Sequence, residues 1–228
     1  MGVTPQRHAW ETILRHILRW FFRHLYHRFA WIYDAVAWSV SLGRWYIWVA
    51  AVLPYIRGPR ILELGYGTGH LLAELAALGH TRAFGVDESA EMAWLACRKS
   101  ETAGQPRPRL IRAMAPWLPV APQSFDCVVA TFPTEYVFHP ETLACLRMAI
   151  APGGRLVILP IARITGNGCF DRAARWLFAT TQQVPVASEE FLRDRLEIPL
   201  LELGFKVAIH RIERRSSIVI LVVATPLP

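Results

Sequence analysis

Glu63, Gly65, Gly67 and Gly69 stand at alternate positions in PRILELGYGTGHLLAELAALGH, residues 59–80, and Asp87 follows one βαβ unit later in RAFGVDES. Glycines at that spacing let a chain turn sharply and bare its main chain to a ligand at a helix N-terminus, where N–H groups are unpaired. A carboxylate at the end of the next strand is placed to accept hydrogen bonds from ribose hydroxyls. The chemistry is that of a nucleotide-type pocket. The elements needed to position it are legible on both sides of the glycines. Ile61, Leu62 and Leu64 form a short apolar run suited to a buried strand, and Leu71, Leu72, Leu75 and Leu78 recur at helical spacing until Gly79. RAFGVD reads as the second strand.

The run from Glu63 to Gly69 resembles the first motif, E/D-x-G-x-G-x-G, of the class I S-adenosylmethionine-dependent methyltransferases. The dehydrogenase pattern G-x-G-x-x-G fits less well, since from Gly65 it would place glycine where His70 stands. The resemblance covers residues 26 to 225. It implies an α/β, Rossmann-like domain with a mostly parallel seven-stranded sheet in the order 3-2-1-4-5-7-6 and helices on both faces. It implies S-adenosylmethionine as cofactor and S-adenosylhomocysteine as product; displacement from so good a leaving group needs no metal, and none of the eight histidines forms a ligand cluster. By the same resemblance the cofactor residues are Glu63, Gly65, Tyr66, Gly67, Gly69, Asp87, Glu88, Met92, Met114, Ala115 and Thr131. Met114 occupies the place where the family usually carries an acid for the adenine amino group, so adenine contacts here are expected from backbone and apolar packing.

The remaining core reads in order. Ser89 can cap a helix bearing Met92, Leu95 and Ala96. GQPRPRL turns into a third strand at Arg109–Arg112, and SFDCVVATF is a fourth. Pro140 opens a helix to Ile150, APGGRLVILP is a turn and fifth strand, and Ser188–Leu203 is a further helix ended by Gly204. FKVAIHRIE and SIVILVVAT close the chain as an antiparallel hairpin around Arg214 to Ser216. Trp176, Leu177 and Phe178 fall in an insertion after strand five, where they either line an apolar acceptor site or pack in the core.

Composition bounds the rest. The chain has 228 residues, 53% of them hydrophobic, and a formal net charge of +7, which suits a globular α/β chain rather than a disordered one. Cys97, Cys127, Cys145 and Cys169 are dispersed, so they read as thiols in a reducing compartment rather than a zinc site or disulfide framework. No secretory signal and no uninterrupted apolar run of membrane-spanning length is present, and the expected location is cytoplasmic. Arg7, Arg15, Arg19, Arg23 and Arg28 face only Glu11 in the first thirty residues, while apolar residues recur at helical spacing from Trp10 to Phe29. Two readings stay open for residues 8–30. One is a helix packed on the domain; the other is an interfacial helix against anionic lipid at the inner face of the membrane.

Ala30, Tyr33 and Asp34, with Ser41, Gly43 and Trp48 beyond them, resemble the lead-in of ubiquinone/menaquinone C-methyltransferases and phospholipid N-methyltransferases, with Tyr26 where those carry phenylalanine. The implied organisation is a lead-in and cap at 1–56 and a cofactor domain at 57–228. Tyr33 would lie near the sulfonium. The acceptor would be a small, hydrophobic molecule of lipid or quinone type, met at the carboxyl ends of the strands by Thr131, Phe132, Pro133, Thr134, Glu135, Tyr136 and His139. If the acceptor must lose a proton, His139, Glu135 and Tyr33 are the groups that could take it; each is equally readable as a solvated loop or packing residue. The loop lacks the N/D-P-P-Y/F tetrapeptide of amino-methylating DNA enzymes, so the nucleic-acid signal is weak. An RNA or protein methyltransferase and a non-catalytic cofactor-binding protein are the rival readings. No feature of the sequence sets an oligomeric state.

Overall fold

The structure, a computed structural model, describes residues 44–166, 168, 189–214 and 216–227. The 8–30 segment, Tyr33 with its lead-in, and Trp176–Phe178 therefore lie outside the described residues. A short helix α1 (Trp45–Val49) runs into a 3-10 turn, Ala50–Tyr55, ahead of β1 (Ile61–Leu64). There follow α2 (His70–Ala77), β2 (Ala83–Asp87), α3 (Ala90–Thr102), β3 (Arg109–Arg112), β4 (Phe125–Thr131), α4 (Pro140–Ala149) and β5 (Ile150–Ile164). Helices α5 (Glu189–Leu192) and α6 (Ile198–Glu202), then β6 (Phe205–Arg214) and β7 (Ser217–Pro226), complete it.

The strands form one sheet in the order β3-β2-β1-β4-β5-β7-β6. The five strands from β3 to β5 run parallel, and β7 pairs antiparallel with both β5 and β6. All four residues of β1 are buried, as expected for a central parallel strand covered on both faces. Alternation sorts the side chains into two cores. Leu62, Val128, Ala130, Leu156 and Ile158 point to one face and meet Leu143 and Leu146 of α4. Ile61, Cys127, Val129, Val157 and Leu159 point to the other and meet Trp48 and Val49 of α1 with Leu71 and Leu75 of α2. Both outer strands carry exposed charge, Arg109 and Arg112 on β3 and Lys206, Arg211 and Glu213 on β6, which keeps an open edge from pairing with another chain.

Ser89 caps α3 as expected, its Oγ accepting from the Met92 N–H at 3.2 Å. The helix expected over Ser188–Leu203 is present from Glu189 to Glu202 among the described residues, with a wider π turn, Arg193–Glu197, joining α5 to α6. Pro199 in the first turn of α6 has no N–H to complete the ladder, and the π turn absorbs the missing bond.

Candidate functional site

A cleft of about 330 Å³ crosses the carboxyl ends of β2, β1 and β4, and reaches the residues that follow β3. Its lining includes Glu63, Gly65, Tyr66, Gly67 and Thr68 from the glycine turn, Asp87, Glu88 and Ser89 after β2, and Ala113, Met114 and Ala115 after β3. On the β4 side it is bounded by Thr131, Phe132, Thr134, Tyr136 and His139, with Trp45 and Val49 of α1 and His70 of α2. With strands about 4.8 Å apart, the path from β3 to β4 is roughly 14 Å long.

Asp87 is tied to the turn it faces. The Gly67 N–H donates to its Oδ2 and the Ser89 N–H to its Oδ1, each at 3.0 Å. Burial nonetheless pushes this carboxyl above its ordinary range, against the pull of those two N–H groups. Glu63 is only 2% exposed. Burial first, and the nearby Asp87 charge second, push its carboxyl well up, while an N–H from Leu72 pulls the other way. Among the described residues its Oε2 has no hydrogen-bond partner, although a buried polar atom normally has one.

Gly65 has φ +71°, and a Cβ there would run into the Tyr136 hydroxyl. That hydroxyl donates to the Leu64 carbonyl at 3.3 Å, so the loop after β4 is pinned to the glycine turn. At Gly67, φ +51°, a Cβ would meet nothing within 4 Å. The main chain there is bare toward the cleft, with the orphaned Glu63 oxygen at the base of the same turn. A small ligand carrying a donor for Glu63 and vicinal hydroxyls for Asp87 fits these residues, and S-adenosylmethionine carries both.

Ten of the eleven expected cofactor residues stand at or beside this cleft: Gly69 caps α2 at its edge, and the other nine line it. Met92 does not. It is fully buried with Tyr66, Leu72 and Ala96, because the face of α3 that carries it turns to the sheet rather than to the cleft. Tyr66 lines the cleft but is 4% exposed, packed so that a Cβ on Gly85 would strike its ring. Met114 is half exposed at the rim. Of the proton-accepting candidates, His139 lines the cleft at the start of α4, whereas Glu135 is exposed and outside the lining. Trp45, Val49 and His70 carry no motif and were not expected; the aromatic run Trp45-Tyr46-Ile47-Trp48 just ahead of the glycine turn was the available signal. Among the described residues no three His, Cys, Asp or Glu side chains come together to hold a metal ion, and no helix is long and apolar enough to cross a membrane.

Residues 61–154 match the family described as a methyltransferase domain. A demethylmenaquinone methyltransferase of Clavibacter sepedonicus is 36% identical over 131 residues, 55% of this chain and 52% of that protein. The chain spans about half the length of the curated relatives it matches. Among solved structures, a Thermotoga maritima S-adenosylmethionine-dependent methyltransferase, described as a possible histamine N-methyltransferase, superposes with TM-score 0.61 at 17% identity, covering 90% of this chain and 99% of that one. A Haemonchus contortus phosphoethanolamine N-methyltransferase, solved with phosphomonomethylethanolamine and S-adenosylhomocysteine, gives 0.57 at 16% identity over 78% of this chain and 52% of that one. At these identities the structural likenesses speak for the fold.

Proposed function

We propose, for a chain whose residues 61–154 are a methyltransferase domain on a sheet of class I S-adenosylmethionine-dependent order, that it transfers a methyl group to a small acceptor with an apolar body. The observation that carries the reading is the cleft itself. Its β1–β2 end offers the bare turn at Gly67, the Asp87 carboxylate and the unpartnered Glu63 oxygen, and its β4 end is aromatic. Bound S-adenosylmethionine supplies an activated methyl on a good leaving group. The chain then has three tasks. Asp87 and Glu63 orient the cofactor, Glu88, Met114, Ala115 and Thr131 flank it, and the walls built by Trp45, Val49 and Phe132 exclude water and align the acceptor. Where the acceptor loses a proton, His139 is the lining side chain assigned to accept it; Tyr33 is retained as a second assignment from the family resemblance.

A lipid or quinone-like acceptor is supported by these apolar walls and by the name of the Clavibacter relative. The amphipathic basic pattern of residues 8–30 supports a cytoplasmic protein that docks on anionic membrane, within a cap of residues 1–56 over a domain of 57–228. Methyl-labelled S-adenosylmethionine incubated with fractionated cell extract tests the reading, with Asp87→Ala as control. Label in the lipid fraction, lost in the variant, is the expected result. Label in RNA or protein would move the acceptor to another class, and cofactor binding without any label would leave a binding protein.

A further inference from the structure

Of the three acids that line the cleft, only Glu63 lies below its surface: Glu63 is 2% exposed, whereas Asp87 is half-buried and Glu88 exposed. Its surroundings supply one N–H and no counter-ion. The Leu72 N–H is the bond it receives, and among the described residues its Oε2 meets no partner. Across the sheet its neighbours are Gly85 of β2 and Val129 of β4, neither of them ionisable. The titratable groups on the elements packed around it are Asp87 of β2, Tyr66 of the glycine turn, His70 of α2, Tyr136 and His139 beyond β4, and the exposed Tyr46 of α1. Lys99 of α3 ends on His70, Nζ to Nδ1 2.9 Å, and no lysine or arginine among the described residues lines the cleft. A carboxylate buried without a cation takes up a proton instead. Burial and the Asp87 charge both push the Glu63 carboxyl up in that direction.

We propose that Glu63 makes the cleft select ligands bearing a cationic amine: it stands as a neutral carboxylic acid until an ammonium group reaches it, then loses its proton to solvent and receives an N–H from that ammonium. The inference rests on the methyltransferase reading above and adds to it a proton exchange and a basis for selectivity. The Glu63 O–H bond breaks, the proton passes to bulk buffer, and the bond that replaces it is charge-assisted, about twice as strong as a neutral one. An adenosine ligand without an amine brings no cation, so Glu63 keeps its proton and contributes no ion pair. Asp87 differs, because its two oxygens already receive the Gly67 and Ser89 N–H groups. The sign of the pH dependence follows. While Glu63 is protonated, binding an amine ligand requires loss of that proton, so affinity rises with pH by up to about tenfold per unit and levels off once Glu63 is ionised beforehand.

Isothermal titration of the full chain tests this with S-adenosylhomocysteine, which carries the amine, and with methylthioadenosine, which lacks it. Each titration is repeated in buffers of different ionisation enthalpy, so that the difference in heat counts protons. At about pH 6 the wild-type chain should release roughly 0.5–1 proton per S-adenosylhomocysteine bound and none per methylthioadenosine. Its affinity for S-adenosylhomocysteine should tighten by about fivefold or more between about pH 5 and pH 7, while that for methylthioadenosine stays level. Glu63→Gln keeps the shape of the neutral acid and cannot ionise, so it should release no proton with either ligand and show a preference that does not change with pH. The comparison of the two ligands on the wild-type chain holds whether or not the variant folds. An S-adenosylhomocysteine affinity that does not rise with pH, equal proton release with both ligands, or release undiminished in Glu63→Gln, which would then belong to Asp87, His70 or His139, overturns the inference. A wild-type chain that binds neither ligand instead refutes the broader reading.

Discussion

Asp87 and Glu63, two of the three acids that line the cleft, differ in what ties them down, and the difference separates their mutants. Asp87 holds the turn through the Gly67 and Ser89 N–H groups, so Asp87→Ala removes ligand contacts and turn contacts together. A hydrogen bond to a charged group contributes about 1.5–3 kcal/mol, and S-adenosylhomocysteine should bind about 10–100-fold more weakly by calorimetry. Glu63 is buried with its carboxyl pushed well up. A folded value above the unfolded one means the native state holds a proton that the unfolded chain releases from about pH 4.3 upward. That share of stability is complete below the unfolded value and is lost as pH rises toward the folded one. Glu63→Gln removes this slope, so the urea midpoint of the variant should gain on wild type between pH 5 and pH 8. Both acids were legible from spacing, Glu63 because it directly precedes the glycines and Asp87 because it ends the next strand, one βαβ unit on. Trp45 and the backbone of Phe132 were not, since they reach the cleft only once α1 and the loop after β4 fold over it, and His70, although it directly follows Gly69, belongs to no motif.

Elements are joined at the site by contacts whose effects are not additive. A Cβ on Gly65 collides with Tyr136, so Gly65→Ala should cost about 1–3 kcal/mol in chemical denaturation. Part of that cost should disappear in a Tyr136→Ala background, and the coupling measures how firmly the β4 loop holds the turn. At the amino end of β4, Asp126 pairs with Arg60 ahead of β1 and accepts its N–H at 3.0 Å. The Arg60 side chain holds the Asp126 carboxyl below its ordinary value. The stability it contributes is therefore present above about pH 3.9 and is lost as pH falls through the lower folded value. Asp126→Asn should flatten the acid limb of the stability profile. The strands were legible because each carries an apolar run or an alternating pattern bounded by glycine, proline or charge. The π turn at Arg193–Glu197 was not, because Pro199 inside a helical pattern signals only a fault, and packing decides whether it ends, kinks or widens the helix.

For the whole molecule, a ligand that binds only the native state raises its stability by mass action. At a concentration a hundred times its dissociation constant, S-adenosylhomocysteine adds about 2.7 kcal/mol. With about 2–4 °C per kcal/mol for a chain of this size, the melting temperature should rise roughly 5–10 °C, and Asp87→Ala, at about 1–10 times its weaker dissociation constant, should gain only about 0.4–1.4 kcal/mol and rise roughly 1–6 °C. Sheet order was accessible only through the resemblance: periodicity identifies seven strands, but nothing in apolar spacing puts β7 inside the sheet and β6 at its border. That inversion bears on how the chain is made. The strand that comes last in sequence is an interior one, flanked by β5 and β6 along its length. During synthesis β6 emerges with no partner, and the exposed side of β5 waits for residues 217–226, so the apolar faces of both remain available to solvent and to chaperones until the hairpin closes. Nicking or shortening the chain within 217–226 would thus split the sheet rather than trim its margin.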